Sequence, residues 1–173
     1  SVSQDNDGRI WVGTFGGALS MLPNPDSDAF ITVDNSFPDY PQELCDRVRY
    51  LHCLPDGRML VATVGGLILF EPSDNPELTI FNLIQKVPGD MDSLGNNDVF
   101  HIFTDSSGST WLSTFGGGLE RLYFEGGQPR FEVVGTDRGL SSNIVYSAVE
   151  ADDGKIWMST EVGLSVYDPK TSA

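Results

Sequence analysis

The stretch Asp153-Gly154-Lys155-Ile156-Trp157-Met158-Ser159-Thr160 decides the fold, because the chain carries four copies of its pattern. It reads as a tight turn followed by a strand that ends in Thr, and residues 161–169 add a glycine reversal and a second strand that ends at Asp-Pro. Further copies lie at residues 7–23, 56–72 and 107–122. The turn glycines, Gly8, Gly57, Gly108 and Gly154, are 49, 51 and 46 residues apart. Self-similarity at this period indicates a propeller or a solenoid array.

Each repeat resolves into short strands, which we call A, B, C and D in chain order. They are rich in β-branched and aromatic residues and are bounded by Gly, Asp, Asn or Pro. No segment shows a sustained helical period. The predicted strands are Val99–Thr104, Thr110–Thr114, Leu119–Phe124 and Arg130–Val134 in repeat three; Val48–Leu54, Met59–Thr63, Leu67–Phe70 and Leu78–Leu83 in repeat two; Ile144–Glu150, Lys155–Thr160 and Leu164–Tyr167 in repeat four; and, in repeat one, a strand A from Val2 and a strand D at Phe30–Val33.

The turn chemistry predicts how these strands pair. Asp-Gly between two hydrophobic runs is a strong hairpin signal, because glycine takes a positive φ at little cost. One four-stranded sheet cannot bury both faces, whereas blades stacked face to face can. We therefore predict an all-β fold, a β-propeller with about four four-stranded antiparallel blades. It forms one partial propeller domain over residues 1–173, with repeats at about 1–34, 44–84, 95–135 and 141–173.

The tryptophans of the repeated pattern are expected to pack between blades. Trp11, Leu60, Trp111 and Trp157 occupy equivalent positions, where they would fill the space between neighbouring sheets. The alternative is that the indole rings form a stacking platform for a sugar or a base.

The charge balance excludes some partners. The chain has 25 acidic and 10 basic side chains, for a net charge of −15. This charge repels phosphate backbones and anionic lipids, so we expect neither nucleic acid binding nor membrane contact by this segment. No run of about 18 apolar residues is present.

The pattern of residues 153–169, together with Gly-Leu-Ser-Ser-Asn-Ile-Val at 139–145, resembles the two-component regulator propeller repeat. The resemblance is weakest in repeat two, where Leu60 replaces Trp. It implies the periplasmic sensor region of a bacterial hybrid two-component histidine kinase, a class often tuned to glycans and typically built of seven-bladed propellers. The chain would then be a partial arc of a larger propeller. Its open faces would be covered by the missing repeats or by a second copy of the chain, in preference to closure as a four-bladed ring.

The strand order predicts which loops share a face, because residues before strand A and after strand B emerge together. Propeller ligands usually lie over this face, by analogy at the level of the fold. An aromatic ring beside an amide or a charge suits a sugar, since the ring covers apolar C–H groups and the polar groups meet hydroxyls. The candidates are Arg47, Asn97 and Asn143 before strand A, and Phe15, Phe115 and Glu161 after strand B.

These candidates have competing structural roles. Asn97 and Asn143 could instead tie the D–A turn through side chain-to-backbone hydrogen bonds. Phe15 and Phe115 could instead pack within the blades.

We predict no catalytic, cofactor or metal site in this segment. His52 and His101 lie in adjacent strands A but not at matching positions. The opening Asp5-Asn6-Asp7-Gly8 resembles a calcium loop, yet Gly16 stands where the bidentate Glu would be needed. The sequence thus favours a non-catalytic sensor module that detects an oligosaccharide. A propeller-type polysaccharide lyase or glycosidase fragment and a pure protein-interaction scaffold remain open as alternatives.

Overall fold

A computed structural model describes residues 1–171 of the chain, with Asp34 and Asn35 described by their backbone alone. The chain divides into two compact units, the first of residues 1–84 and the second beginning at residue 85. Each unit holds two of the repeats, and every sheet is antiparallel. The last two residues of the predicted fourth repeat lie outside the described part, and the single domain over residues 1–173 stays a prediction.

The first unit contains two four-stranded sheets, which we call blades 1 and 2, each in simple sequential order. Blade 1 is formed by β1 (Val2–Gln4), β2 (Ile10–Gly13), β3 (Leu19–Leu22) and β4 (Ile31–Thr32). Blade 2 is formed by β5 (Val48–Cys53), β6 (Met59–Thr63), β7 (Leu67–Phe70) and β8 (Asn82–Ile84). Two helical turns, α1 (Val33–Ser36) and α2 (Gln42–Cys45), connect the blades.

The second unit contains blades 3 and 4. Blade 3 is formed by β9 (Val99–Thr104), β10 (Thr110–Thr114), β11 (Gly118–Glu125) and β12 (Gln128–Val134). Blade 4 has three strands, β13 (Val145–Glu150), β14 (Ile156–Thr160) and β15 (Gly163–Tyr167). The described helices, all within residues 1–171, are too short to cross a membrane.

The four A–B turns have one geometry, which explains the repeated Gly. In each turn the glycine N–H donates to the carbonyl three residues earlier, at 2.8–3.1 Å. The glycines have φ between 80° and 91°, a left-handed conformation that other residues adopt only with strain. They are Gly8, Gly57, Gly108 and Gly154. The prediction of hairpins at these positions is confirmed.

Trp11 lies in the hydrophobic core of the first unit and is fully buried. Its ring lies 4.9 Å from that of Phe70 in blade 2, edge to face, and 5.9 Å from that of Phe37 in the connection between the blades. Phe81 packs against both of these phenylalanines. The blade-packing interpretation is therefore correct for Trp11, and Leu60 is also fully buried.

In the second unit the same packing occurs for Trp111, and Trp157 differs from it. Trp111 is 3% exposed and meets the ring of Tyr167 from blade 4 at 5.9 Å. Trp157, by contrast, is 45% exposed. It alternates along β14 with Ile156 and Met158, which lie in the core cluster that contains Trp111, and so it lies on the other face of blade 4.

Two predicted strands D are also misplaced. In repeat two the prediction was Leu78–Leu83, but residues Pro76–Leu78 form a 3-10 turn and the strand is β8. Pro76 starts this turn, and Asn75 caps it by accepting a hydrogen bond from the Glu77 N–H. In repeat one the strand ends at Thr32, because Val33 begins α1.

Candidate functional site

Backbone hydrogen bonds join the turn after strand B to the loop before strand A of the next blade. In the first unit the Gly16 and Ala18 N–H groups donate to the Asp46 carbonyl, at 3.0 and 2.9 Å. In the second unit Gly116 and Gly118 donate to the Asn143 carbonyl, at 3.0 and 2.8 Å. We call this surface of each unit the loop rim. The shared face that the strand order predicts is thus present in both units.

In the first unit the rim brings together two predicted site residues and one that sequence reasoning missed. Phe15 forms an isolated bridge with Arg47, and its side chain is 64% exposed. The Arg47 guanidinium lies 5.6 Å from the centre of the Phe15 ring, and the guanidinium of Arg49 in β5 lies at the same distance. Both are within the range of a cation–π contact. The ring does not serve as core packing at this position.

In the second unit the residues around the equivalent phenylalanine are aromatic and not cationic. Phe115 bridges Ile144 and is 45% exposed. Its ring lies 6.0 Å from that of Phe100, which meets the Tyr146 ring edge to face at 5.3 Å. Phe100 and Tyr146 follow the first residue of β9 and β13, as Arg49 follows the first residue of β5. These three rings form a half-exposed aromatic cluster.

Asn97 and Asn143 make the side chain-to-backbone hydrogen bonds that are expected if they tie the D–A turn. The Asn97 amide oxygen accepts from the Lys86 N–H at 2.7 Å, and that of Asn143 accepts from the Thr136 N–H at 2.8 Å. Each bond ties the segment after strand D to the start of strand A. Glu161 lies exposed in the turn after β14, where its N–H donates to the Ile144 carbonyl.

One buried carboxyl lies beneath the rim of blade 3 and was not predicted from the sequence. Glu120 on β11 is fully buried, and its two oxygens accept from the Gly95 N–H at 2.8 Å and the Thr114 hydroxyl at 3.0 Å. A Cβ on Gly117 would lie 2.5 Å from both Glu120 and Thr114 oxygens, so the absence of a side chain there leaves the carboxyl its space. Burial raises the pKa of the Glu120 carboxyl to about 7, although the hydrogen bond from Gly95 opposes this rise.

Blade 4 uses neutral groups where blade 3 uses Glu120. Ser165 is one residue after the leucine of its strand C, as Glu120 is. Its hydroxyl accepts from the Ser141 N–H at 3.0 Å, and the Ser141 hydroxyl lies 2.9 Å from that of Thr160. The polar residue after this leucine therefore anchors the loop before strand A in both blades, and this shared position is a signal that the sequence offered.

The opposite end of blade 1 holds a compact ion-pair cluster around Arg9. The buried Arg9 guanidinium donates to Asp5 at 2.7 Å and to Asp74 at 2.7 Å, and it also contacts Asp7. Asp5 accepts as well from the Trp11 indole N–H at 2.8 Å. Burial opposes ionisation of Asp5, but these hydrogen bonds hold the pKa of its carboxyl below the ordinary value. Within residues 1–171 no group of three or more His, Cys, Asp or Glu side chains is arranged to hold a metal ion.

Residues 1–16 and 139–162 match the family model described as two component regulator propeller. These two segments resemble two component regulator propeller repeats. The matched segments include the Asp5 turn with Phe15, and the loop and turn around Asn143 and Glu161. The resemblance inferred from residues 139–145 and 153–169 is therefore confirmed. A search of curated proteins finds no match.

Solved structures confirm the all-β propeller fold of the chain. The chain is similar to the extracellular domain of a protein described as the hybrid two component system BT3049 from B. thetaiotaomicron, with a TM-score of 0.77 and 26% identity over 99% of this chain and 23% of that chain. It is similar to the extracellular domain of the one component system BT4673 from the same organism, with a TM-score of 0.75 and 19% identity over 99% of this chain and 24% of that chain.

A third likeness is to an enzyme. Virginiamycin B lyase from Staphylococcus aureus has a TM-score of 0.59 and 14% identity over 99% of this chain and 56% of that chain. At 14% and 19% identity, the lyase and BT4673 likenesses show the fold alone. The chain spans about a quarter of the length of the two regulator domains.

Proposed function

We propose that this chain is part of the ligand-binding propeller of a periplasmic sensor, and that it detects an oligosaccharide for a hybrid two-component histidine kinase. The observation that carries the proposal is the placement of an exposed phenylalanine at the same rim position in both units, Phe15 and Phe115. Exposed aromatic rings on loops held by a rigid sheet suit the apolar faces of sugar rings. The match to regulator repeats and the likeness to a regulator's extracellular domain support a sensor role.

The experiment is a thermal-shift screen of the protein against a panel of oligosaccharides. A ligand that binds only the folded state stabilises it by about 2.7 kcal/mol at one hundred times its Kd, which raises the unfolding midpoint. We expect at least one oligosaccharide to raise the midpoint, and the paired change Phe15→Ser and Phe115→Ser to abolish the rise. Leu78→Ser, at an equally exposed apolar side chain outside the rim, should keep it.

The same screen separates the rival functions. A midpoint unaffected by every oligosaccharide would favour a scaffold and contradict the proposal. Turnover of a panel member, detected as new reducing ends or unsaturated products, would favour a lyase or a glycosidase.

A further inference from the structure

The A–B turns of blades 1 and 3 have the same frame but differ at one position. Each begins with an aspartate, Asp5 or Asp105, that accepts a hydrogen bond from the indole of the buried tryptophan. The residue after the turn glycine is Arg9 in blade 1 and Ser109 in blade 3. The first unit therefore has a guanidinium at a place where the second unit has only a short hydroxyl side chain.

In the first unit the Arg9 guanidinium occupies the space beside this aspartate. Its Nε donates to the Asp5 Oδ2 at 2.7 Å, and its other nitrogens contact Asp7 and Asp74. Arg9 and Asp5 are only 5% and 6% exposed, because each covers the other. The groove that remains there, of about 200 Å³, is lined by Arg9 and does not reach Trp11.

In the second unit the corresponding space is open. A cavity of about 290 Å³ lies between blades 3 and 4 and reaches Trp111 and Tyr167. This volume is close to the lower limit of small-molecule pockets, about 300 Å³. One of its acidic groups, Glu132, is already paired with Arg138 at 2.9 Å. The charged residues of the lining are Asp105, Arg121, Glu132, Glu150 and Lys170.

The Asp105 carboxylate keeps one acceptor position that the equivalent Asp5 uses for its arginine. The Asp105 Oδ1 accepts from Ser107 and Ser109. Among residues 1–171 its Oδ2 accepts only from the Trp111 indole, so a lone pair of this oxygen is available. Partial burial opposes ionisation, but hydrogen bonds from Ser107 and Trp111 hold the pKa of the Asp105 carboxyl below the ordinary value. The group is therefore charged at neutral pH.

The wall of the cavity carries charges of both signs. Glu150 accepts from the Ser106 N–H at 2.7 Å and from its hydroxyl at 2.6 Å, which fixes this second carboxylate at the cavity. Arg121 and Lys170 are exposed side chains of the same wall. Within the described residues neither cation forms an ion pair with Asp105 or Glu150, so neither takes the role that the arginine has in blade 1.

We propose that the cavity between blades 3 and 4 binds a small guanidinium-bearing amino acid, with its guanidinium at the place that Arg9 occupies in the first unit. The guanidinium would donate to Asp105 and Glu150 through charge-assisted hydrogen bonds, for which its planar fork is suited. The ligand carboxylate would meet Arg121 and Lys170. This site lies at the A–B turns, opposite the loop rim, and it goes beyond the proposed saccharide sensing.

The test measures the Kd of the whole chain by calorimetry for L-arginine and for L-citrulline, its neutral isostere. We expect L-citrulline to bind at least about tenfold more weakly, a difference of about 1.4 kcal/mol. L-Lysine should also bind more weakly, because an ammonium lacks the guanidinium fork. Agmatine and a blocked Gly-Arg-Gly peptide keep the guanidinium without a carboxylate, and both should bind more weakly than L-arginine.

The variant Ser109→Arg gives blade 3 the arrangement of blade 1. Its own guanidinium should occupy the cavity, so L-arginine binding should be lost while the thermal unfolding midpoint is unchanged or higher. Gln128→Arg adds the same charge at an exposed position of blade 3 outside the cavity and should leave the Kd unchanged. If Ser109→Arg disturbs folding, Glu150→Gln keeps the test decisive, because it should weaken binding of L-arginine more than binding of L-citrulline.

Each opposite outcome overturns a stated part of the proposal. Equal affinity for L-arginine and L-citrulline, or binding of neither, would overturn the site. L-Arginine binding that persists in a folded Ser109→Arg variant would overturn its placement in this cavity. L-Lysine binding as tight as that of L-arginine would overturn the guanidinium assignment, and equally tight binding of agmatine or the peptide would overturn the role of Arg121 and Lys170. None of these results bears on saccharide binding at the loop rim.

Discussion

The indole N–H of Trp111 donates across the A–B turn to the carboxylate of Asp105, six positions earlier in the chain, at 2.7 Å. The same bond joins Trp11 to Asp5 in blade 1. In blade 4 the equivalent position is Ala151, and there Trp157 is half-exposed. Because a buried indole N–H needs an acceptor, the aspartate accompanies the buried tryptophans.

Asp105 should contribute strongly to stability. Its carboxylate accepts from the Ser107 and Ser109 N–H groups as well as from Trp111, so Asp105→Ala leaves several donors without this partner. We expect the free energy of unfolding to fall by about 2–4 kcal/mol in urea titrations. Asp152→Ala, at an exposed turn position of blade 4, is the control and should change it by less than about 0.5 kcal/mol. Equal losses in the two variants would contradict this role.

The exposure of Trp157 gives a second matched pair. Trp111→Ala should lower the free energy of unfolding by about 3–5 kcal/mol, because it opens a cavity against Tyr167. Trp157→Ala removes a half-exposed ring and should cost about 1 kcal/mol or less. Urea unfolding of both variants measures the difference. Similar costs would mean that the Trp157 ring is buried in solution and would contradict this prediction.

Glu120 should make stability depend on pH. Its pKa is raised from the reference 4.5 to about 7 in the folded protein, so the folded state holds a proton that the unfolded state releases. The contribution is fully present below about pH 4.5 and is lost as the pH rises to about 7. Glu120→Gln removes this titration. We expect the variant to be more stable than the parent at pH 8, by about 1–3 kcal/mol, and similar to it at pH 4.

Chemical unfolding at both pH values tests this expectation. The comparison of Glu120→Gln with the parent isolates one carboxyl, whereas other acidic groups titrate identically in both proteins. A difference that is constant from pH 4 to pH 8, or a variant less stable at pH 8, would contradict the assignment of the raised pKa to Glu120.

The sequence was sufficient for the repeated hairpins but not for the connections between strands C and D. Asp-Gly turns are local signals, since the glycine conformation follows from the turn alone. The 3-10 turn at Pro76–Leu78 replaces a strand that Leu78 and Ile80 appeared to begin, because Asn75 and Pro76 favour a capped helical turn. The exposure of Trp157 could not be predicted from its own repeat, because burial at this position depends on a neighbouring sheet.

The candidate site residues also divide into those that local strand order predicts and those that depend on packing between elements. Strand order is enough to place Phe15 and Arg47 on one rim. Arg49 was missed because it lies inside strand β5, where a guanidinium reaches the Phe15 ring only through the pairing of two blades. Glu120 was missed because one charged residue in a strand is usually read as solvent-facing, and only the space beside Gly95 and Gly117 lets it turn inward.

The loop rim as the ligand-binding face is the central claim, and an NMR titration tests it most directly. Backbone amide shifts of the isotope-labelled protein would be followed as an oligosaccharide from the thermal-shift screen is added. The prediction is saturable shifts at Phe15, Arg47, Phe115 and Asn143, with little change at the A–B turn glycines Gly8, Gly57, Gly108 and Gly154. Shifts confined to the A–B turns, with the rim amides unchanged, would contradict the claim.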